Sequence, residues 1–142
     1  MPPPIPPGSP DPHPLDYELT LRRVVDEVAL YPIDAYLFVN EGVAYTVRQT
    51  HGQRQRPDQN MHVTGAQLCL GLRELALKKW GLLAGTVLRR WGITCTLDFG
   101  RIVFAMVEND LMSKTEDDQP DDFRDVYDFE SAFDPSGYVI AT

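Results

Sequence analysis

The sequence predicts a mainly α fold of about five helices with a small β-hairpin. Three observations carry that prediction. Apolar residues recur every three or four positions in five separate stretches, the period of a helix with one buried face. Glycine or proline stops divide those stretches, at Tyr31-Pro32, Trp80-Gly81 and Trp91-Gly92. The fifth stretch is followed by two short segments that read as strands, Leu111–Thr115 and Val126–Phe129, across a polar tip containing Gln119-Pro120. Helix, short loop, helix and hairpin is the order of a winged-helix module, so the C-terminal half is expected to be winged-helix-like.

The elements follow in order. Asp16 can cap a first helix running to about Leu30, with Tyr17, Leu21, Val24, Val25 and Val28 on one face. Arg22, Arg23, Asp26 and Glu27 are left to solvent. A second helix runs from about Asp34 to Thr50 and is striped by Tyr36, Val39, Val43 and Val47. Gly42 inside it costs about 1 kcal/mol relative to alanine, which predicts close packing against a neighbour there.

The third helix has the strongest local signal. Thr64-Gly-Ala-Gln67 fits a capping box, with Val63 and Leu68 as a hydrophobic staple around it. Leu68, Leu72, Leu75 and Ala76 form its buried stripe. Lys78-Lys79-Trp80-Gly81 places cations at the negative end of the helix dipole. Eleven residues later the same solution recurs as Arg89-Arg90-Trp91-Gly92. It closes a fourth helix, Leu82–Trp91, expected to bury Leu83, Val87, Leu88 and Trp91.

Trp91–Met112 organises the rest. Gly92 suits the left-handed position that ends a helix, Thr96 is a good N-cap, and Asp98 falls in the first turn of the fifth helix. Phe99, Ile102, Val103, Met106, Val107 and Leu111 make the most apolar stripe in the chain.

At 142 residues the chain fits one domain with a core of its own, spanning 15–134 between a proline-rich segment, 1–14, and a C-terminal tail, 135–142. Hydrophobic content of 43% and charged content of 24% are those of a soluble globular protein. No apolar run approaches the length of a membrane span and no signal-peptide pattern opens the chain, so a cytoplasmic address is expected. Cys69 and Cys95 read there as small buried hydrophobes rather than a disulfide.

The net charge of −8 is unevenly distributed. Glu108–Asp134 carries eleven acidic residues against Lys114 and Arg124, a local charge of −9. Arg48–Arg90 carries eight basic residues against Asp58 and Glu74, a local charge of +6. Overall acidity argues against broad nucleic-acid affinity, which needs a cationic surface to release counterions.

Several segments invite functional readings. Met1–Pro14 holds eight of the twelve prolines and reads as a disordered tail or a polyproline ligand for an aromatic groove. His51–His62 is a polar loop, either a solvated connector or an anion or nucleic-acid contact. His51 and His62 could join Cys69 around a metal only without any recognised ligand spacing, so no metal site is assigned. Asp98-Phe99-Gly100 spells the kinase magnesium triplet, but the phosphate loop and catalytic loop are missing. No register of Glu116–Asp134 supplies a calcium loop, and no serine or cysteine has a histidine at motif spacing. No catalytic residue, metal or cofactor is therefore expected.

Two surfaces remain. Phe123, Tyr127, Phe129 and Phe133 are interleaved with carboxylates, an arrangement that can dock a protein or complete the domain's own core. Arg48, Arg54, Arg56, Lys78, Lys79, Arg89 and Arg90 are the cations a nucleic acid would use, and the acidic arm could also lie against them. The expected function is non-catalytic binding of another macromolecule, a protein, through the acidic-aromatic arm. The alternative is a winged-helix-like regulator binding nucleic acid through the basic patch.

From His62-Val-Thr-Gly65 through Trp91-Gly-Ile93, Asp98-Phe-Gly100, Met112-Ser-Lys-Thr115, Asp122-Phe123 and Tyr127-Asp-Phe129, the chain resembles a family of short conserved hypothetical proteins of planctomycete and verrucomicrobial bacteria. The likeness spans about residues 15–134. It implies a bacterial cytoplasmic protein and no activity, and it transfers no functional residue.

Overall fold

A computed structural model describes residues 14–51, 63–112 and 120–134. Its elements are α1 (Pro14–Val28), α2 (Ile33–His51), α3 (Gly65–Trp80), a 3-10 turn (Gly81–Leu83), α4 (Ala84–Arg90), α5 (Thr96–Glu108), a second 3-10 turn (Pro120–Phe123) and the one-turn α6 (Phe129–Ala132). The protein is mainly helical, and the five expected helices are all present. The proline-rich segment, most of the His51–His62 loop and the C-terminal tail lie outside the described residues.

The expected stripes supply most of the core. Leu21 and Val24 of α1, Tyr36 and Val39 of α2, Leu68, Leu72, Leu75 and Ala76 of α3, and Phe99, Ile102, Val103 and Met106 of α5 are all buried. α2 is buried on more than one stripe: Ala35, Phe38, Tyr45 and Thr46 join the interior as well. Tyr36 is fully buried, and its hydroxyl has no hydrogen-bond partner among the described residues.

α2 and α3 pack antiparallel, with Glu41 meeting Lys79 and Thr46 lying against Gly71. Each helix presents a glycine to the other. A Cβ on Gly42 would strike the Leu72 side chain, and one on Gly71 would strike Thr46 Oγ1. The close packing expected at Gly42 is therefore present, and its reciprocal partner is Gly71. Thr46 settles its hydroxyl by donating to the Gly42 carbonyl at 2.7 Å.

Local signals set the helix ends. Thr64 accepts from the Gln67 amide at 3.0 Å while Gln67 accepts from the Thr64 amide at 2.8 Å, completing the capping box. Gly92, at φ +83°, ends α4, and Ile93 N–H donates back to the Leu88 carbonyl at 2.9 Å in a Schellman-type closure.

Four expectations are corrected. The N-cap of α5 is Cys95, which leaves Thr96 inside the helix and buried. Cys95 is itself exposed, not buried. Leu83 is 62% exposed, because Gly81–Leu83 turns as a 3-10 segment and α4 starts at Ala84. The hairpin is the fourth. Asp110 takes a left-handed φ of +60° and Leu111 N–H folds back to the Met106 carbonyl at 2.8 Å, which caps α5 instead of launching a strand. Leu111 and Met112 lie in bends, and Ser113–Thr115 fall outside the described residues. On the other side, Asp125 sits at φ +50° and Asp128 accepts from the Ser131 amide, so Val126–Phe129 is a bend, a cap and the start of α6. No strand occurs among the described residues, and the winged-helix comparison has no wing there.

The two facing glycines differ in what they meet, which gives a ranked prediction. Gly71→Ala collides with a β-branched threonine held by its own hydrogen bond, whereas Gly42→Ala meets the tip of a leucine. Against a helix-propensity gain of about 1 kcal/mol, Gly71→Ala should lower stability by about 2 kcal/mol and Gly42→Ala by less. Urea midpoints at constant slope would check the order.

Candidate interaction surface

The described part of the acidic-aromatic arm Glu116–Asp134, Pro120–Asp134, lies across α3, α4 and α5. Its first 3-10 turn fits only because two glycines lack a Cβ. A Cβ on Gly100 would come within 2.8 Å of Phe123 Cβ and Cγ, and one on Gly65 would come within 2.9 Å of Asp122 Cβ. The Thr96 hydroxyl then holds the turn twice, donating to the Phe123 carbonyl at 2.6 Å and accepting from Val126 N–H at 3.2 Å. Further along, the Tyr127 hydroxyl donates to the Cys69 carbonyl at 2.9 Å, and Arg73 Nε donates to the Ala132 carbonyl at 3.1 Å.

The four rings expected to dock a partner are thereby drawn inward. Phe123 is 3% and Phe133 6% exposed, while Tyr127 and Phe129 are partly buried. Phe129 packs on Phe99, Tyr127 and Phe133 at centroid distances of 5.6, 5.8 and 5.0 Å, and Phe123 meets Phe104 edge-on at 5.9 Å. Burial pushes the Tyr127 hydroxyl well above its ordinary titration range. Of the two readings of these rings, docking a partner or completing the core, the packing favours the second: Phe123 and Phe133 are buried, Tyr127 and Phe129 pack partly buried against them, and the carboxylates of Asp121, Asp125, Asp128 and Glu130 belong to exposed residues.

The basic patch is divided. Arg54 and Arg56 lie outside the described residues. Arg48 is seven residues beyond Glu41 along α2, roughly 10 Å by the helical rise, and so stands apart from Lys79. Lys78 pairs with Glu74 at 3.6 Å and lies 4.9 Å from the Tyr45 ring centroid. Lys79 pairs with Glu41 at 2.9 Å. Arg89 turns back along α4, its Nη2 donating to the Thr86 hydroxyl at 3.4 Å and its Nη1 lying over Gly85 on the side where Phe133 packs, and Arg90 has no hydrogen bond or ion pair among the described residues.

The two repeated helix endings meet in space. Trp80, closing α3, and Trp91, following α4, sit edge to face at 5.4 Å, and Phe38 of α2 packs on both at 5.0 and 5.9 Å. Both tryptophans are only partly buried. Leu82 and Leu83 between them are exposed, as is Leu37 beside Phe38. The corner thus combines two partly open indoles with exposed leucines and, next to Trp91 in the chain, the exposed Arg90. Sequence reasoning treated Lys-Lys-Trp-Gly and Arg-Arg-Trp-Gly as helix punctuation. Their recurrence was the available signal that two aromatic-basic ends could converge.

The main buried charged cluster centres on Asp98, which is 4% exposed. Its Oδ1 accepts from the Tyr31 hydroxyl at 2.6 Å and from Arg101 Nη1 at 2.8 Å, and its Oδ2 accepts from Thr94 N–H at 2.9 Å and Cys95 N–H at 3.3 Å. Burial alone would raise this carboxyl, but the hydrogen bonds from Tyr31, Thr94 and Cys95 outweigh it and hold it below the ordinary aspartate range. Burial, with the Asp98 bond second, raises the Tyr31 hydroxyl. Asp98 therefore joins the α1–α2 link to the start of α5 with both oxygens occupied, an arrangement suited to holding structure rather than moving protons. Burial pushes the Cys69 thiol up to about 12, which keeps it protonated and inert at neutral pH. Among the described residues no group of three His, Cys, Asp or Glu side chains is placed to hold a metal ion, and no helix is long and apolar enough to cross a membrane.

No protein-family model, curated protein or solved structure matches the chain.

Because the folded Asp98 carboxyl titrates below its unfolded value, its contribution is present above about pH 4 and is lost as pH falls through the folded value. Asp98→Asn should cost roughly 2 kcal/mol at neutral pH, since an amide cannot accept all of these donors. It should also flatten the acid limb of the stability curve, measured by urea unfolding between about pH 3 and pH 7.

Proposed function

We propose that the chain is a non-catalytic interaction module that binds another macromolecule, a protein, at the corner formed by Trp80, Trp91, Leu82, Leu83 and Arg90. The observation carrying this reading is the combination of exposed leucines and part-open indoles with the exposed Arg90, which has no ion pair among the described residues. Aromatic and arginine side chains around apolar anchors are what the energetic centres of protein interfaces use. The corner is preferred to the acidic-aromatic arm in this role, because Phe123 and Phe133 are buried and Tyr127 and Phe129 pack partly buried against them. A cytoplasmic setting suits the free thiols Cys69 and Cys95.

One feature favours nucleic acid: indoles flanked by cations can stack bases. Two of the four cations already neutralise Glu74 and Glu41, however, and the whole chain carries −8. A winged-helix mode has little to work with on α5, where Ile102, Val103 and Met106 are buried and exposed Arg101 is engaged with Asp98.

Affinity capture from nuclease-treated bacterial lysate, with the wild-type chain beside a Leu83→Glu/Arg90→Glu variant, tests the reading. Both side chains are exposed, so the variant should keep its helical circular dichroism. The expected result is a protein retained after nuclease by the wild type and reduced at least about tenfold by the variant. Equal recovery by both chains would remove the corner from the function. Recovery abolished by nuclease would transfer it to nucleic acid.

A further inference from the structure

We infer that the C-terminal tail, 135–142, continues the arm along α3 and seats Tyr138-Val139-Ile140 over Leu82, so that the chain covers part of its own exposed corner. The course of the arm gives the direction. Asp122 lies against Gly65, the Tyr127 hydroxyl donates to the Cys69 carbonyl, and the Ala132 carbonyl accepts from Arg73 Nε. Gly65, Cys69 and Arg73 follow one another at four-residue intervals on one ridge of α3. The arm therefore advances five residues for each step of about 6 Å along the helix. The next position on that ridge is Leu77, which is partly buried, and the one after it is Gly81, where the turn carrying exposed Leu82 and Leu83 begins. At the same pace, residues 138–140 fall between the levels of Leu77 and Gly81.

Phe133 fixes the side. Its Cβ lies 3.1 Å from where a Cβ on Gly85 would stand, so the last ring of the arm rests on the Gly85 side of α4. Leu82 precedes Gly85 by three residues, about one turn of a 3-10 or α-helix, and lies on that side too. It is 46% exposed in the direction the chain is heading. Leu70, 54% exposed, lies one turn behind Arg73 on α3, against that direction. Composition changes at the same point. The arm up to Asp134 is acidic, whereas PSGYVIAT after it has no charged side chain and places Tyr138, Val139 and Ile140 in a row. Five residues from Phe133 to Tyr138 span up to roughly 17 Å, against about 12 Å along α3 from Arg73 to Gly81, so the tail is long enough. Removal of the Leu82 side chain from water is the driving force. The consequence for binding rests on the interaction-module reading above: a partner that uses Leu82 must first lift the tail.

The test places the photo-crosslinker p-benzoylphenylalanine at position 138 of the full chain, followed by irradiation, trypsin and mass spectrometry. The expected main product is a crosslink within one chain to the tryptic peptide Trp80–Arg89, which contains Leu82. Leu82→Asp and, separately, Ile140→Asp should each lower its yield by about tenfold, while Leu70→Asp should leave it unchanged. Leu82 and Leu70 are exposed, so both variants should keep their helical circular dichroism. Ile140→Asp tests the same contact from the tail. Crosslinks directed mainly to another element, spread without preference, or insensitive to both Leu82→Asp and Ile140→Asp would overturn the inference. So would crosslinks found only between two chains, since a second copy would then occupy Leu82. The crosslink needs no partner protein, so it is read independently of the capture experiment. If it is missing while Leu83→Glu/Arg90→Glu still loses a captured protein, only the tail's seat falls. A specific crosslink with equal capture by both chains removes the interaction-module reading and leaves the tail on Leu82.

Discussion

Phe123 can enter the core only because neither Gly65 nor Gly100 carries a side chain. A Cβ on Gly100 would lie within 2.8 Å of the phenylalanine's own Cβ, and a Cβ on Gly65 would meet Asp122. Those two absences let the Pro120–Phe123 turn settle between the start of α3 and the start of α5. The Thr96 hydroxyl then satisfies the Phe123 carbonyl and the Val126 amide, which would otherwise be left without a partner at this seat. Once the turn is seated, Tyr127, Phe129 and Phe133 follow onto α3, α4 and Phe99.

Seating the arm also decides what the surface has left to offer. Phe123 and Phe133 enter the core, Tyr127 and Phe129 pack partly buried against it, and the carboxylates between them remain as an acidic exterior. The tryptophan corner keeps its exposed leucines, Leu82 and Leu83. Trp80 and Trp91 lean on Phe38 and on each other, and the leucines of the intervening turn face outward. The carboxylates thus line the arm, where Arg89 also reaches, while the exposed leucines lie in the turn between the two tryptophans.

The helices were readable because each carries its own signals. The Thr64–Gln67 box, the Gly92 stop and the three-four stripes all act within a few residues, and the structure places helices where they fall. The hairpin was misread because alternation in Val126–Phe129 is too short to outweigh Asp125 in the left-handed region and Asp128 as a cap. Thr96 was one residue from its expected duty, and its hydroxyl serves the arm instead of the helix end. The arm's destination was open in the sequence, since interleaved rings and acids suit a dock or a core equally well. What resolved it was contact between residues 23 or more apart, Gly100 with Phe123 and Gly65 with Asp122, which no local pattern encodes. The tryptophan corner was hidden for the same reason: two similar helix endings look like repeated punctuation until the 3-10 turn brings their rings together.

Amide hydrogen exchange across Phe123–Phe133 tests most directly whether the acidic-aromatic arm belongs to the core. The Val126 amide is bound by Thr96 Oγ1, the Ala132 amide by the Asp128 carbonyl and the Phe133 amide by the Phe129 carbonyl. These amides should be protected well beyond free-peptide rates, and Gly100→Ala should abolish that protection while α2 and α3 remain slow. Free-peptide exchange along the arm of the wild-type chain, with the helices protected, would contradict the assignment and return the four rings to the surface.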